Sequence, residues 1–157
     1  MGALDRTICD CCVCPMQCVL EQLIDKTVSF FLLGTTGAGQ FNDATIERVE
    51  GFKVFTNKGI VAFHTISFVI LNFEPNPPIK VKPTKNDIGE CACIEDSTTN
   101  LLNSMKKKQV VISDSISGTI DNVGEGIILL KDVSFLGSCF PLFVISKCFI
   151  DTISPST

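Results

Sequence analysis

One order of parts occurs twice in this 157-residue chain, and that repetition limits the fold more than any other feature. The first unit opens with Met16, Val19, Leu20, Leu23 and Ile24 at helical spacing, with Pro15 suited to a first-turn position. A strand Thr27 to Leu33 follows, then the turn Gly34-Thr35-Thr36-Gly37-Ala38-Gly39. Phe41, Ala44, Ile46 and Val49 mark a second strand, Gly51 a break, and Phe52 to Phe55 a third strand. After the turn Asn57-Lys58-Gly59, Ile60 to Leu71 supplies one long bent strand or two short ones. The same parts then return. A helix at Thr98 to Lys107 presents Leu101, Leu102 and Met105 on one face, followed by a strand Val110 to Ser113 and a strand opened by Gly118. Gly126 stands in the place of Gly51, Ile127 to Leu130 matches Phe52 to Phe55, and a closing pair of strands runs from Phe140 to Ile153.

The stretch Phe73 to Glu90 separates the two units and holds Pro75, Pro77, Pro78 and Pro83, four of the seven prolines. The expected organisation is a cysteine-rich arm at 1–14, one unit at 15–73, an extended Pro-rich linker with Cys91 and Cys93 at 74–96, and a second unit at 97–157. The chain is 45% apolar and only 19% charged, with 12 Phe and neither Trp nor Tyr. That balance favours half-buried strands. Units of about 55 residues bury little surface alone, so part of the apolar surface is expected to rest on other subunits.

Charge and motif content narrow the functions. The net charge is −4, and Lys106, Lys107 and Lys108 form the basic cluster, which reads as the solvated last turn of a helix. The single histidine, His64, has no nucleophile at recognisable spacing, and no Gly-Lys-Ser/Thr follows Gly34 to Gly39. Neither an enzyme nor a cofactor is expected. The longest apolar runs are broken by His64, Ser67, Ser146 and Lys147, and a span needs roughly 20 apolar residues, so no membrane partner is expected. The first residues lack a basic stretch leading into an apolar one, which predicts synthesis in the cytosol without a signal peptide.

Nine cysteines do not suit a routine cytosolic protein. Cys9, Cys11, Cys12, Cys14 and Cys18 cluster at the N-terminus, and Cys91 and Cys93 open the second unit in the equivalent place. These seven are the candidate disulfide cross-linkers; Cys139 and Cys148 are either disulfide partners or free thiols. Cys11-x-x-Cys14 also fits part of a four-thiolate zinc site, but the crowding lacks two well-separated ligand pairs, so no metal is assigned. A redox role would need a βαβ setting, which the pattern does not provide.

Val19-Leu20-Glu21-Gln22-Leu23, Lys26-Thr27-Val28-Ser29-Phe30 and His64-Thr65-Ile66-Ser67 resemble the helix end, first strand and signature of the Hfq-type Sm-like RNA chaperones. The resemblance covers about 16–72 and, more weakly, 97–154. It implies an all-β fold with short N-terminal helices, as two tandem five-stranded Sm-like barrels that pair by their edge strands into closed rings. The sequence departs from that family where RNA is held: Phe63 replaces the basic residue before the signature His, and Ala62 replaces the stacking aromatic. The phrase Cys11-Cys12-Val13-Cys14-Pro15-Met16-Gln17 resembles small cysteine-rich Sm-like proteins of spore-forming bacteria. That likeness implies a structural subunit of a spore surface layer or extracellular appendage, a ring or fibre cross-linked through the arm. Its partners would be further copies of itself and other spore-surface proteins, with nucleic acid not expected. The alternatives are an Sm-like RNA-binding protein, with His64 as the RNA contact, and a zinc-binding interaction module.

Overall fold

The computed structural model describes residues 13–34, 37–81, 99–150 and 152–155. Helix α1 (Val13–Glu21) buries Met16, Val19 and Leu20, and Leu23 follows in the next turn. Their spacing puts all four on one stripe. Ile24, which the spacing assigned to the same stripe, is 37% exposed, because the helix has already ended and Asp25 turns the chain at φ 70°. In the second helix, at 99–104, Leu102 is buried and Leu101 is exposed. Adjacent residues cannot share a helical face.

The described residues form ten strands: β1 (Thr27–Gly34), β2 (Gly37–Glu50), β3 (Lys53–Thr56), β4 (Gly59–Ala62), β5 (Ile66–Leu71), β6 (Gln109–Ile112), β7 (Ile116–Gly124), β8 (Ile127–Phe135), β9 (Ser138–Ser146) and β10 (Ile153–Pro155). All lie in one open antiparallel sheet in the order β10-β6-β7-β8-β9-β5-β1-β2-β3-β4. The two halves are therefore not two separate bodies. Strand β5 of the first half pairs with β9 of the second, and the sheet runs unbroken through the junction.

Each half nevertheless follows one plan. The first reads β5-β1-β2-β3-β4 and the second β10-β6-β7-β8-β9. The agreement extends to single hydrogen bonds. The Ile46 amide donates to the Lys26 carbonyl as the Ile120 amide does to Lys108, and the Phe63 amide donates to Phe52 as Lys147 does to Gly126. The β2–β3 ladder slips between Ile46 and Arg48, and the β7–β8 ladder between Ile120 and Asn122. These bonds correct the sequence alignment by one residue. Gly126 (φ 67°) is the counterpart of Phe52 (φ 61°) rather than of Gly51, and Ile127 to Leu130 match Lys53 to Thr56. A central glycine is an easy landmark, but the ladder decides the register.

Two apolar cores lie on opposite faces of the middle of the sheet. In β5, Ile66, Val69 and Leu71 enter the first core, while Phe68 and Ile70 enter the second. In β9, Leu142 and Val144 go one way and Phe143 and Ile145 the other; in β8, Ile127 and Leu129 separate likewise from Ile128 and Leu130. This explains why the chain has apolar runs without alternation there. A strand buried on both faces has no polar side to show.

The first part of the segment expected as an extended linker packs against the first half. Ile79 is buried in the first core, and Phe73 and Val81 pack against it. The Gln22 amide group clasps residue 80, accepting from the Lys80 amide at 2.8 Å and donating to its carbonyl at 2.7 Å. Helix α1 also begins at Val13, inside the expected arm; residues 1–12 and 82–98 lie outside the described residues.

The two halves compensate volume differently at one place. Ala44 and Thr56 in the first correspond to Gly118 and Leu130 in the second. A Cβ added at Gly118 would lie 2.8 Å from Leu130 Cγ and 3.0 Å from the Lys131 carbonyl. Gly118→Ala is thus expected to cost about 1–3 kcal/mol by overpacking. Urea unfolding measures it, and Gly118→Ala with Leu130→Val should recover part of the loss if the clash is the cause.

Candidate functional site

The feature with the clearest chemistry is the junction between the halves. Across it Phe68 pairs with Ile145, Val69 with Val144, Ile70 with Phe143 and Leu71 with Leu142. One row of cross-strand neighbours runs Leu129–Val144–Val69–Phe30, all buried in the first core. On the opposite face an aromatic clasp closes the junction. Phe31 stacks on Phe68 at 4.7 Å, Phe68 stacks on Phe143 at 5.1 Å, and Phe140 tilts against Phe143 at 5.4 Å. Phe135 meets Phe31, Phe68 and Phe143 edge-on at 6.2, 5.4 and 5.7 Å. Edge-to-face and offset stacks of this kind contribute about 0.5–1.5 kcal/mol per pair beyond burial. Phe135 reaches the site because β8 and β9 form a longer hairpin than β3 and β4.

Among the described residues the sheet ends on two edges without a partner strand, β4 and β10. They are the counterparts of the strands already joined within the chain: β4 corresponds to β9, and β10 to β5. Ile60 on β4 is 62% exposed, whereas its counterpart Val144 is fully buried in the junction. Beside Ile60 stands Phe55, half-buried, with the Arg48 guanidinium 4.0 Å above its ring. Strand β10 is short and ends in Pro155, features that blunt an edge against indiscriminate pairing.

The structure does not gather the sequence-predicted residues into one site. His64 sits in a 3₁₀ turn, Phe63–Thr65, exposed and without a hydrogen bond among the described residues, while Phe63 is buried beneath α1. Its counterpart is Cys148, in the matching turn Lys147–Phe149. Cys18 is a half-buried free thiol on α1, and Cys139 an exposed free thiol on β9. Cys148 is disulfide-bonded. The backbone of Cys14 lies in α1; Cys9, Cys11, Cys12, Cys91 and Cys93 fall outside the described residues. Among the described residues no three His, Cys, Asp or Glu side chains are placed to hold a metal, and no helix is long and apolar enough to cross a membrane. Within the basic cluster, Lys107 Nζ lies 3.0 Å from Asp121, which Lys131 Nζ of β8 also approaches at 3.7 Å.

No family model, curated protein or solved structure matches the chain. The structural features therefore carry the reading.

Two of them were not singled out in the sequence. Lys147 reads as a polar interruption, yet it is 2% exposed and its Nζ donates to the Thr99 hydroxyl. It occupies the place of Phe63. The clasp was equally hidden, although Phe68 and Phe143 stand in runs without alternation, which is the signal of two-sided burial.

Proposed function

We propose that this chain is a structural, self-assembling subunit built of two Sm-like units in tandem, used in a bacterial spore surface layer or appendage and cross-linked through its cysteine arm. The observation that carries the reading is the pair of edges, β4 and β10, which have no partner strand among the described residues and match the two strands joined within the chain. An edge of each kind at opposite ends of a sheet permits head-to-tail addition of further copies, closing into a ring or continuing as a fibre. The layout of a helix followed by five strands, present in both halves, supports the Sm-like assignment. The exposed Cys139 thiol and the cysteine-rich N-terminus supply groups for covalent locking.

Electron microscopy and sedimentation of the purified protein, with and without reductant, test the reading. Ordered multimers are expected without reductant. A chain that stays monomeric in both conditions would refute self-assembly. A filter-binding titration with uridine-rich RNA at physiological salt should give no affinity tighter than about micromolar. Few cations are available for counterion release, and residue 63 is apolar and buried. Nanomolar binding would favour the RNA-binding alternative.

A further inference from the structure

We infer that the second helix carries a docking ledge, formed by Leu101 and Met105 and bordered by Lys106 and Lys108, for an extended partner peptide in which aliphatic residues alternate with acidic ones. The inference is independent of the self-assembly reading and comes from matching the two helices position by position.

Backbone bonds supply the match. The Lys107 amide donates to the Ile120 carbonyl as the Asp25 amide does to Ile46. Lys108 donates to Met105 as Lys26 does to Leu23, and Met105 to Leu102 as Leu23 does to Leu20. Leu101 and Met105 therefore stand in the places of Val19 and Leu23, and Ser104 in that of Gln22. Leu20 and Leu102 are both fully buried, so the two helices seat on their cores alike. The neighbouring face differs. Val19 and Leu23 are 1% exposed, whereas Leu101 is 44% exposed and Met105 only half-buried. Residues four apart lie on one side of a helix, so Leu101 and Met105 form a single aliphatic ledge.

The first half shows what such a ledge accepts. Residues 73–81 run beside α1 as an extended strap. Ile79 joins Val19 and Leu23 in the first core, and Phe73 and Val81 pack against it. Gln22, one turn beyond Val19, holds the strap by the backbone of residue 80. Among the described residues the second half has no strap in the matching place, and Leu101 joins neither core. Ser104 does not repeat the Gln22 grip, since its hydroxyl donates to the Leu101 carbonyl at 2.6 Å. The ledge must hold its partner by apolar contact and charge.

Charge selects the partner. Ile24, Asp25 and Lys26 border the first ledge, and Lys106, Lys107 and Lys108 stand in their places. Lys107 is engaged by Asp121, while Lys106 and Lys108 are exposed and form no ion pair among the described residues. A segment with carboxylates beside its aliphatic residues complements this border, and salt screens the attraction.

A fluorescein-labelled peptide with the sequence of residues 73–81 carrying Lys80→Glu, which ends Ile-Glu-Val, is the probe. Anisotropy is read on the full chain under reductant. Saturable binding is expected. Leu101→Asp should weaken it roughly tenfold or more, with an unchanged circular dichroism spectrum because Leu101 is exposed. Lys106→Ala with Lys108→Ala, at two exposed positions that folding does not need, should weaken it severalfold, as should added salt. No saturation at millimolar peptide would overturn the inference. So would binding that Leu101→Asp leaves intact, the result expected if the peptide displaced the internal strap at α1. Binding that neither the lysine pair nor salt alters would overturn the acidic partner. Self-association lost on Leu101→Asp, with no peptide bound by the full chain, would make a second copy the occupant and overturn the inference equally.

Discussion

Phe143→Ala is expected to lower the unfolding free energy by about 3–5 kcal/mol, the usual cost of deleting a large side chain from a packed core. Phe143 is fully buried, stacks on Phe68 and touches Phe135 and Phe140. It stands on β9, which pairs with β5 on one side and β8 on the other. Its removal leaves a cavity where the halves meet, between strands that backbone pairing holds in place, so the site has little freedom to collapse. Whole domains are stable by only about 5–15 kcal/mol, so this one change should consume a large part of the total. Chemical unfolding followed by far-ultraviolet circular dichroism measures it. Ile60→Ala supplies the control. Ile60 is largely exposed in the single chain, and its truncation should cost the monomer within about 0.5 kcal/mol. Equal losses at the two positions would mean that the clasp adds nothing to the junction.

The second large effect concerns the covalent lock. Removing residues 1–12 together with Cys14→Ser should abolish the multimer ladder on a non-reducing denaturing gel, while leaving the sheet folded. The cut falls before α1 begins at Val13, so Met16, Val19 and Leu20 keep their places in the first core. Cys11 and Cys12 are neighbours in sequence, and a disulfide needs Cα atoms about 4.4–6.8 Å apart with restricted dihedrals, so each is expected to bond a more distant cysteine. A bond within one chain typically adds about 2–4 kcal/mol, but one between chains forbids dissociation altogether. That matters most where the non-covalent contact between copies is weak. Ladders as extensive as those of the full chain would show that the arm is not the cross-linker. Cys139, exposed and free, would then be the first thiol to replace.

Much of the local structure was legible in the chain. The spacing of Met16, Val19, Leu20 and Leu23 specified a helix with one buried stripe, and the glycine turn at 34–39 a hairpin, observed as Gly34 opposite Gly37. The choice left open at Ile60 to Leu71 is resolved as two short strands around a 3₁₀ turn. The twofold order of parts also emerged from residue types alone, because periodicity and turn chemistry are properties of short segments. The boundaries of the repeat were less legible. Phe52 holds a left-handed conformation that its neighbour Gly51 would be expected to monopolise, and only the hydrogen bond from Phe63 reveals which residue faces Gly126.

What joins the halves was decided in three dimensions. Strand order depends on which edges meet, and β5 meets β9 across a sequence gap that no local pattern spans. The same apolar run, Ile66 to Leu71, would suit a strand buried within one barrel or a strand shared by two cores; packing on both faces selects the second. The clasp depends on Phe31, Phe68, Phe135 and Phe143 converging from four strands, and the buried Lys147 donates from its Nζ to the hydroxyl of Thr99, 48 residues away on the second helix. Residue types set what each segment can become. The energy of the junction depends on distances between segments far apart in the chain, and only the folded sheet sets those.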